Sequence, residues 1–106
     1  MLNQVVIAGR IKDIKTEQKD GKNVAKMVVA VPRSYKNVNG EYETDFITCT
    51  LWDSIAKNTT EYCKTGDVVG VKGRINTTEK LNLDNSISYD MEVIAEKVSF
   101  LSSSKN

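Results

Sequence analysis

Between Asp45 and Trp52 the chain alternates two kinds of residue: Ile47, Cys49 and Leu51 at one parity, Phe46, Thr48, Thr50 and Trp52 at the other. Successive side chains of an extended strand point to opposite faces, so burying the first set leaves two large rings outside. Rings in water call for a cover. Unpaired nucleobases suit, because each has a π-face and stacking on an aromatic side chain is worth about 1–3 kcal/mol whatever the base. Tyr35 extends the same platform from an adjoining segment. The spacing equally allows Phe46 and Trp52 to pack under a loop or against another subunit.

A polyanion would also need cations. The net charge is only +1, so any electrostatic footprint must come from how the charges are distributed. Residues 1–36 hold eight Lys or Arg against Asp13, Glu17 and Asp20, whereas residues 37–53 hold four acids and no base. Arg10, Arg33, Lys36, Lys72 and Arg74, with Lys12, fall on or beside strand-like segments where they could follow phosphates. Taken alone, each reads equally as a solvated surface charge.

Catalysis finds little support. There is no histidine, the two cysteines lack metal-ligand spacing, and the acids are scattered over turns and strand edges. Asp53 beside Ser54 reads as a helix cap, not a catalytic pair. No metal or cofactor is implied. Cys49 and Cys63 read as buried free thiols in a chain without secretory features. No apolar run approaches the roughly 20 residues of a membrane helix, and the first ten residues lack a signal peptide's pattern, which points to a cytoplasmic protein with no membrane partner.

The elements that must position these residues follow from period and punctuation. At 106 residues there is room for one domain. Asn3 to Ile14 is β-branched with Gly9 in its interior, the mark of a strand that bends tightly in a small barrel. Lys19 to Asn23 is turn chemistry, and Val24 to Val31 forms a second strand that Pro32 is expected to stop, leaving a long hairpin loop with Asn39-Gly40 in it. Glu43 to Trp52 is the third strand. Asp53 or Ser54 should cap a helix running to Lys64, with Ile55, Thr59, Tyr62 and Cys63 on its apolar face and Gly66 past its end. Val68 to Thr78 and Tyr89 to Leu101 complete five strands, separated by a polar loop over Glu79 to Ser88. The fold class is therefore all-β: a five-stranded OB-type barrel over residues 1–101 with one α-helix between strands three and four, then a frayed tail over residues 102–106.

Three motifs, in this order and separation, carry a resemblance: Met-Leu-Asn-Gln-Val-Val-Ile-Ala-Gly-Arg at the start, Asp45-Phe46-Ile47-Thr48-Cys49-Thr50-Leu51-Trp52 centrally, and Gly73-Arg74-Ile75 later. Together they resemble the bacterial single-stranded DNA-binding protein family over residues 1 to about 101. The resemblance implies Tyr35, Phe46 and Trp52 as base-stacking positions, single-stranded DNA as partner, roles in replication, recombination or repair, and a homotetramer built from barrel dimers. The chain departs from the family pattern where basic and aromatic residues commonly follow the Gly-Arg pair: it reads Asn76, Thr77, Thr78, Glu79, Lys80 and Leu81. One stacking ring is missing there, and Thr48 stands where relatives are often basic, so a weaker salt dependence is expected. The ending Ser102 to Asn106 lacks an acidic, hydrophobic tip, so tail-mediated recruitment of other proteins is expected to be absent. The rival within the same fold is a primosome-type accessory barrel whose exposed rings are a protein interface.

Overall fold

The computed structural model describes residues 1–103. Five strands, β1 (Val5–Lys19), β2 (Lys22–Lys36), β3 (Tyr42–Trp52), β4 (Val68–Leu81) and β5 (Ile87–Ser102), close into a barrel in the order β1-β2-β3-β5-β4, with α1 (Asp53–Tyr62) between β3 and β4. This is the expected all-β OB architecture. All neighbours run antiparallel except β3 and β5, whose parallel seam holds only Cys49 opposite Val93 and Thr50 opposite Ile94. Ile11, Met27, Val29, Cys49, Leu51, Val69 and Val71 fill the interior, and α1 lays Ala56 and Ile55 against it. Burial pushes the Cys49 thiol up to about 11; Cys63 is only half-buried, and both cysteines are free.

Gly9 sits where β1 passes from β4 to β2, and a Cβ there would lie 2.2 Å from the Ala30 carbonyl oxygen. The β1–β2 turn uses Asp20 and Gly21, both at positive φ, which matches the twist of the flanking strands.

Two expected boundaries move, for one physical reason. Pro32 does not end β2: the strand continues to Lys36, and Pro32 stands opposite Thr44. The β1–β2 ladder stops at Arg10 and Ala30, so beyond it β2 has β3 on one side only, and a missing N–H is tolerated on that open edge. The expected long loop shrinks to a tight turn in which the Asn37 side chain accepts the N–H groups of Asn39 and Glu41, at 2.9 and 3.0 Å. Likewise the expected polar loop over Glu79 to Ser88 is mostly ladder: Glu79 pairs with Tyr89 and Leu81 with Ile87, and only Asn82 to Ser86 turns. Two ribbons, β2–β3 and β4–β5, thus extend beyond the closed barrel.

The helix also differs at both ends. Trp52, not Asp53 or Ser54, is the N-cap residue and makes no side-chain capping bond, while Asp53 enters the first turn at φ 52°. The last turn stops at Tyr62, which is exposed, and Ala56 takes the buried position instead. Gly66 does adopt positive φ, but in the following turn, where its N–H donates to the Ile11 carbonyl. At the C-terminus β5 reaches Ser102, beyond the expected tail boundary; residues 104–106 lie outside the described residues.

Candidate nucleic-acid interface

The outer surface of β2, β3, β5 and β4 is built from residues one position out of phase with the core. Phe46 stands there 58% exposed, and Thr48 beside it is exposed. Register aligns Arg10 on β1 with Ala30 on β2 and Phe46 on β3, so that the backbone positions of Arg10 and Phe46 lie in one row, two strands or about 10 Å apart. A second row runs from Lys26 through Thr50 and Ile94 to Arg74. Lys72 and Arg74 share this outer parity on β4, both exposed and, among the described residues, in no ion pair. Arg10 keeps its charge unpaired, donating to the Gly66 carbonyl at 2.9 Å.

Trp52 has the same parity as Phe46 but is half-buried at the start of α1, about 20 Å along β3. Tyr35 is 64% exposed near the tip of the β2–β3 ribbon, where the Lys36 ammonium lies 5.7 Å from the Tyr42 ring centre. Tyr42 is an exposed ring that the alternation rule did not single out.

Arg33 behaves differently from the other cations. Val31 pairs with Asp45, so Arg33, Glu43 and Asp45 share the parity that continues the barrel interior, on the other side of the ribbon from Phe46. The guanidinium donates to Asp45 at 2.9 Å and to Glu43 at 2.7 Å. The hydrogen bond to Asp45 and its charge hold the Arg33 pKa above its ordinary value, and the same bond holds Asp45 below its own. Glu43 and Asp45 are thereby turned away from the face that bears Phe46.

Thr50, expected on the open face, is buried beneath a polar bridge. Lys26 Nζ donates to Thr50 Oγ1 at 2.9 Å and to Glu92 Oε2 at 3.0 Å, and the Thr50 hydroxyl donates to the same oxygen at 2.7 Å. Burial disfavours the Glu92 charge, but the bonds from Thr50 and Lys26, the Lys26 charge and a bond from Asn76 outweigh it and leave the pKa lowered. A group with a depressed folded pKa stabilises the fold above its unfolded value and stops doing so as pH falls through the folded one. Thermal melts should therefore show Tm declining as pH drops below about 4.5, and declining less in Glu92→Gln. An equal decline in both proteins would mean that the bridge is not what acid breaks.

Alternation within the supposed loop was the signal for a further feature: Ile75, Leu81, Ile87, Tyr89 and Met91 form an exposed apolar stripe on one side of the β4–β5 ribbon. At its base, where β3 and β5 diverge past the seam, Phe46, Thr48, Ile75, Met91 and Glu92 line a cleft of about 300 Å³. Among the described residues no group of three or more His, Cys, Asp or Glu could hold a metal ion, and no helix is long and apolar enough to cross a membrane.

Comparison with known proteins identifies the family. The single-strand binding protein family model matches residues 2–101. The chain is 44% identical to single-stranded DNA-binding protein B of Bacillus subtilis over 103 residues, covering 95% of this chain and 91% of that one. It is 36% identical to single-stranded DNA-binding protein 1 of Clostridium acetobutylicum over 107 residues, covering 98% and 97%. Against single-stranded DNA-binding protein 3 of Listeria innocua the identity is 40% over 108 residues, covering all of this chain and 68% of the relative. A closed five-stranded barrel, an outward Phe46 on a face that also carries unpaired cations, and a family match across nearly every described residue stand together: the chain belongs to the single-strand binding protein family.

Proposed function

We propose that this protein binds and shields single-stranded DNA with little regard to sequence, without catalysis, in replication, recombination or repair. Bases stack on Phe46, Trp52 and Tyr35, while Arg10, Lys36, Lys72 and Arg74 follow the phosphates. The observation that carries this reading is the outer row in which exposed Phe46 shares register with Arg10, on a face from which Glu43 and Asp45 are turned away. Arg33, held by two carboxylates, contributes to phosphate neutralisation only once those bonds open. The working form is a homo-oligomer, a tetramer or a dimer, located in the cytoplasm with the nucleoid. Exposed Leu2, ahead of β1, and Val6 on it supply apolar surface for a second copy to cover.

The test is a titration with a long thymidine oligonucleotide, following the single tryptophan at low and high salt, with duplex of equal length as control. Quenching by the single strand alone, relieved by salt, is expected. The exposed apolar stripe on the β4–β5 ribbon favours a second reading, an accessory barrel that works mainly through protein contacts. Silence at low salt would select it.

A further inference from the structure

Beyond the barrel the β2–β3 ladder is interrupted. Between the pairs Pro32–Thr44 and Lys36–Tyr42, β2 places Arg33, Ser34 and Tyr35 opposite Glu43 alone. A bulge of this kind leaves backbone groups out of the ladder and bends the strand that carries it, and Pro32 just ahead has no N–H to add. Backbone pairing alone would let the ribbon hinge here. The part that would swing carries Tyr35, exposed within the bulge, and the Lys36–Tyr42 pair just past it.

Side chains close the gap. Glu43 Oε1 accepts from Arg33 Nη1 at 2.7 Å, and Glu43 Oε2 accepts from the Asn37 side-chain amide at 3.1 Å. One carboxylate thus ties the residue that opens the bulge to the residue that begins the turn. Asp45 holds the other side of the guanidinium, its Oδ1 accepting from Nη2 at 2.9 Å and from Nε at 3.2 Å. Asn37 passes the constraint on, because its Oδ1 accepts the N–H groups of Asn39 and Glu41. A lone exposed ion pair contributes little, but a planar guanidinium forked between two carboxylates fixes geometry. By charge alone, acids on a ribbon that meets a polyanion weaken its binding. A role in ordering the ribbon gives Glu43 a reason to be there.

We infer that Glu43 is a positioning residue for single-stranded DNA: with Arg33 and Asn37 it locks the tip of the β2–β3 ribbon, so that Tyr35 and the Lys36–Tyr42 pair meet the strand already ordered. This role rests on the single-stranded DNA reading above. Groups held in place before binding lose less freedom when the complex forms, which strengthens it without any new contact. Arg33 acts here through its fork and not through its charge.

The test is a titration of a labelled thymidine oligonucleotide with the wild type, Glu43→Ala, Tyr35→Ala and the double variant. If charge alone governs, deleting an acid tightens binding to a polyanion. Locking predicts the opposite sign: Glu43→Ala should bind roughly fivefold more weakly. Tyr35→Ala should weaken the wild type, yet add little in the Glu43→Ala background, where the ring is already unlocked. Unchanged or tighter binding by Glu43→Ala, additive effects of the two substitutions, or a Tyr35→Ala protein that binds like the wild type overturns the locking role and leaves single-strand binding in place. Should circular dichroism show that Glu43→Ala misfolds, Arg33→Lys decides, since it keeps the charge and loses the fork. A comparable loss then supports the lock, and wild-type affinity overturns it. No binding by the wild type overturns both readings together.

Discussion

Gly73→Ala should destabilise the barrel by about 3 kcal/mol, because the added methyl has nowhere to go. Its Cβ would stand 2.0 Å from the Ile94 carbonyl oxygen, 2.9 Å from the carbonyl carbon and 3.2 Å from the Ala95 Cα. All three neighbours are backbone, so no side-chain rotation relieves the contact. The register between β4 and β5 shifts between Lys72 and Gly73, so here β4 bends as it leaves β1 and runs out into the ribbon. For a domain of this size the loss lowers Tm by roughly 12–20 °C. Gly70→Ala is the matched control: its nearest neighbour would be the Leu101 Cδ1 at 3.6 Å, an ordinary contact. Differential scanning calorimetry on the two variants decides the matter. A Gly73→Ala melt within a few degrees of the Gly70→Ala melt would mean that β4 and β5 do not approach so closely.

For binding, the largest effect is expected at Phe46. Truncation to Ala should cost about 1–3 kcal/mol of affinity for a single strand, the worth of one stacked base. Its side chain is mostly exposed, so the fold should change by no more than about 0.5 kcal/mol. Trp52 makes a poorer probe of the same idea, since it is half-buried and caps α1, and its removal mixes stability with affinity. Arg74→Ala supplies the contrast: it should lower the slope of log affinity against log salt by about one while leaving base stacking alone. Fluorescence anisotropy of a labelled oligonucleotide at several salt concentrations reads both quantities. Loss of slope in Phe46→Ala, or unchanged affinity in both variants, would move the nucleic acid off this face.

Strand count and the placing of the helix could be read from the chain because each rests on a pattern with inside and outside. Ile47, Cys49 and Leu51 alternate with Phe46 and Thr48 as the closed part of β3 requires. Where the ribbons leave the barrel that contrast vanishes, and Thr77, Glu79 and Ser88 look like loop although each stands in a ladder. Pro32 misled for the same reason: a strand ends at proline only when both its edges are needed. Side-chain pairing was beyond the reach of period altogether. Nothing in the spacing told that Arg33 would face Asp45 and Glu43, or that Lys26 and Glu92, 66 residues apart, would roof Thr50.

The narrow seam between β3 and β5 sets the order of events in time. The hairpins β1–β2, β2–β3 and β4–β5 join neighbours in sequence and can form early, whereas the two residue pairs of the seam and the β1–β4 ladder link distant parts of the chain. Loop closure must precede any gain from such pairs, which places a topology of this kind among the slower-folding small domains. The last contact made, with the fewest bonds to hold it, is also the first to part. The N–H groups of Val93 and Ile94 point to opposite sides of β5, and the one directed at β3 should exchange through brief openings of the cylinder along that line, while those of the β1–β2 ladder wait for global unfolding.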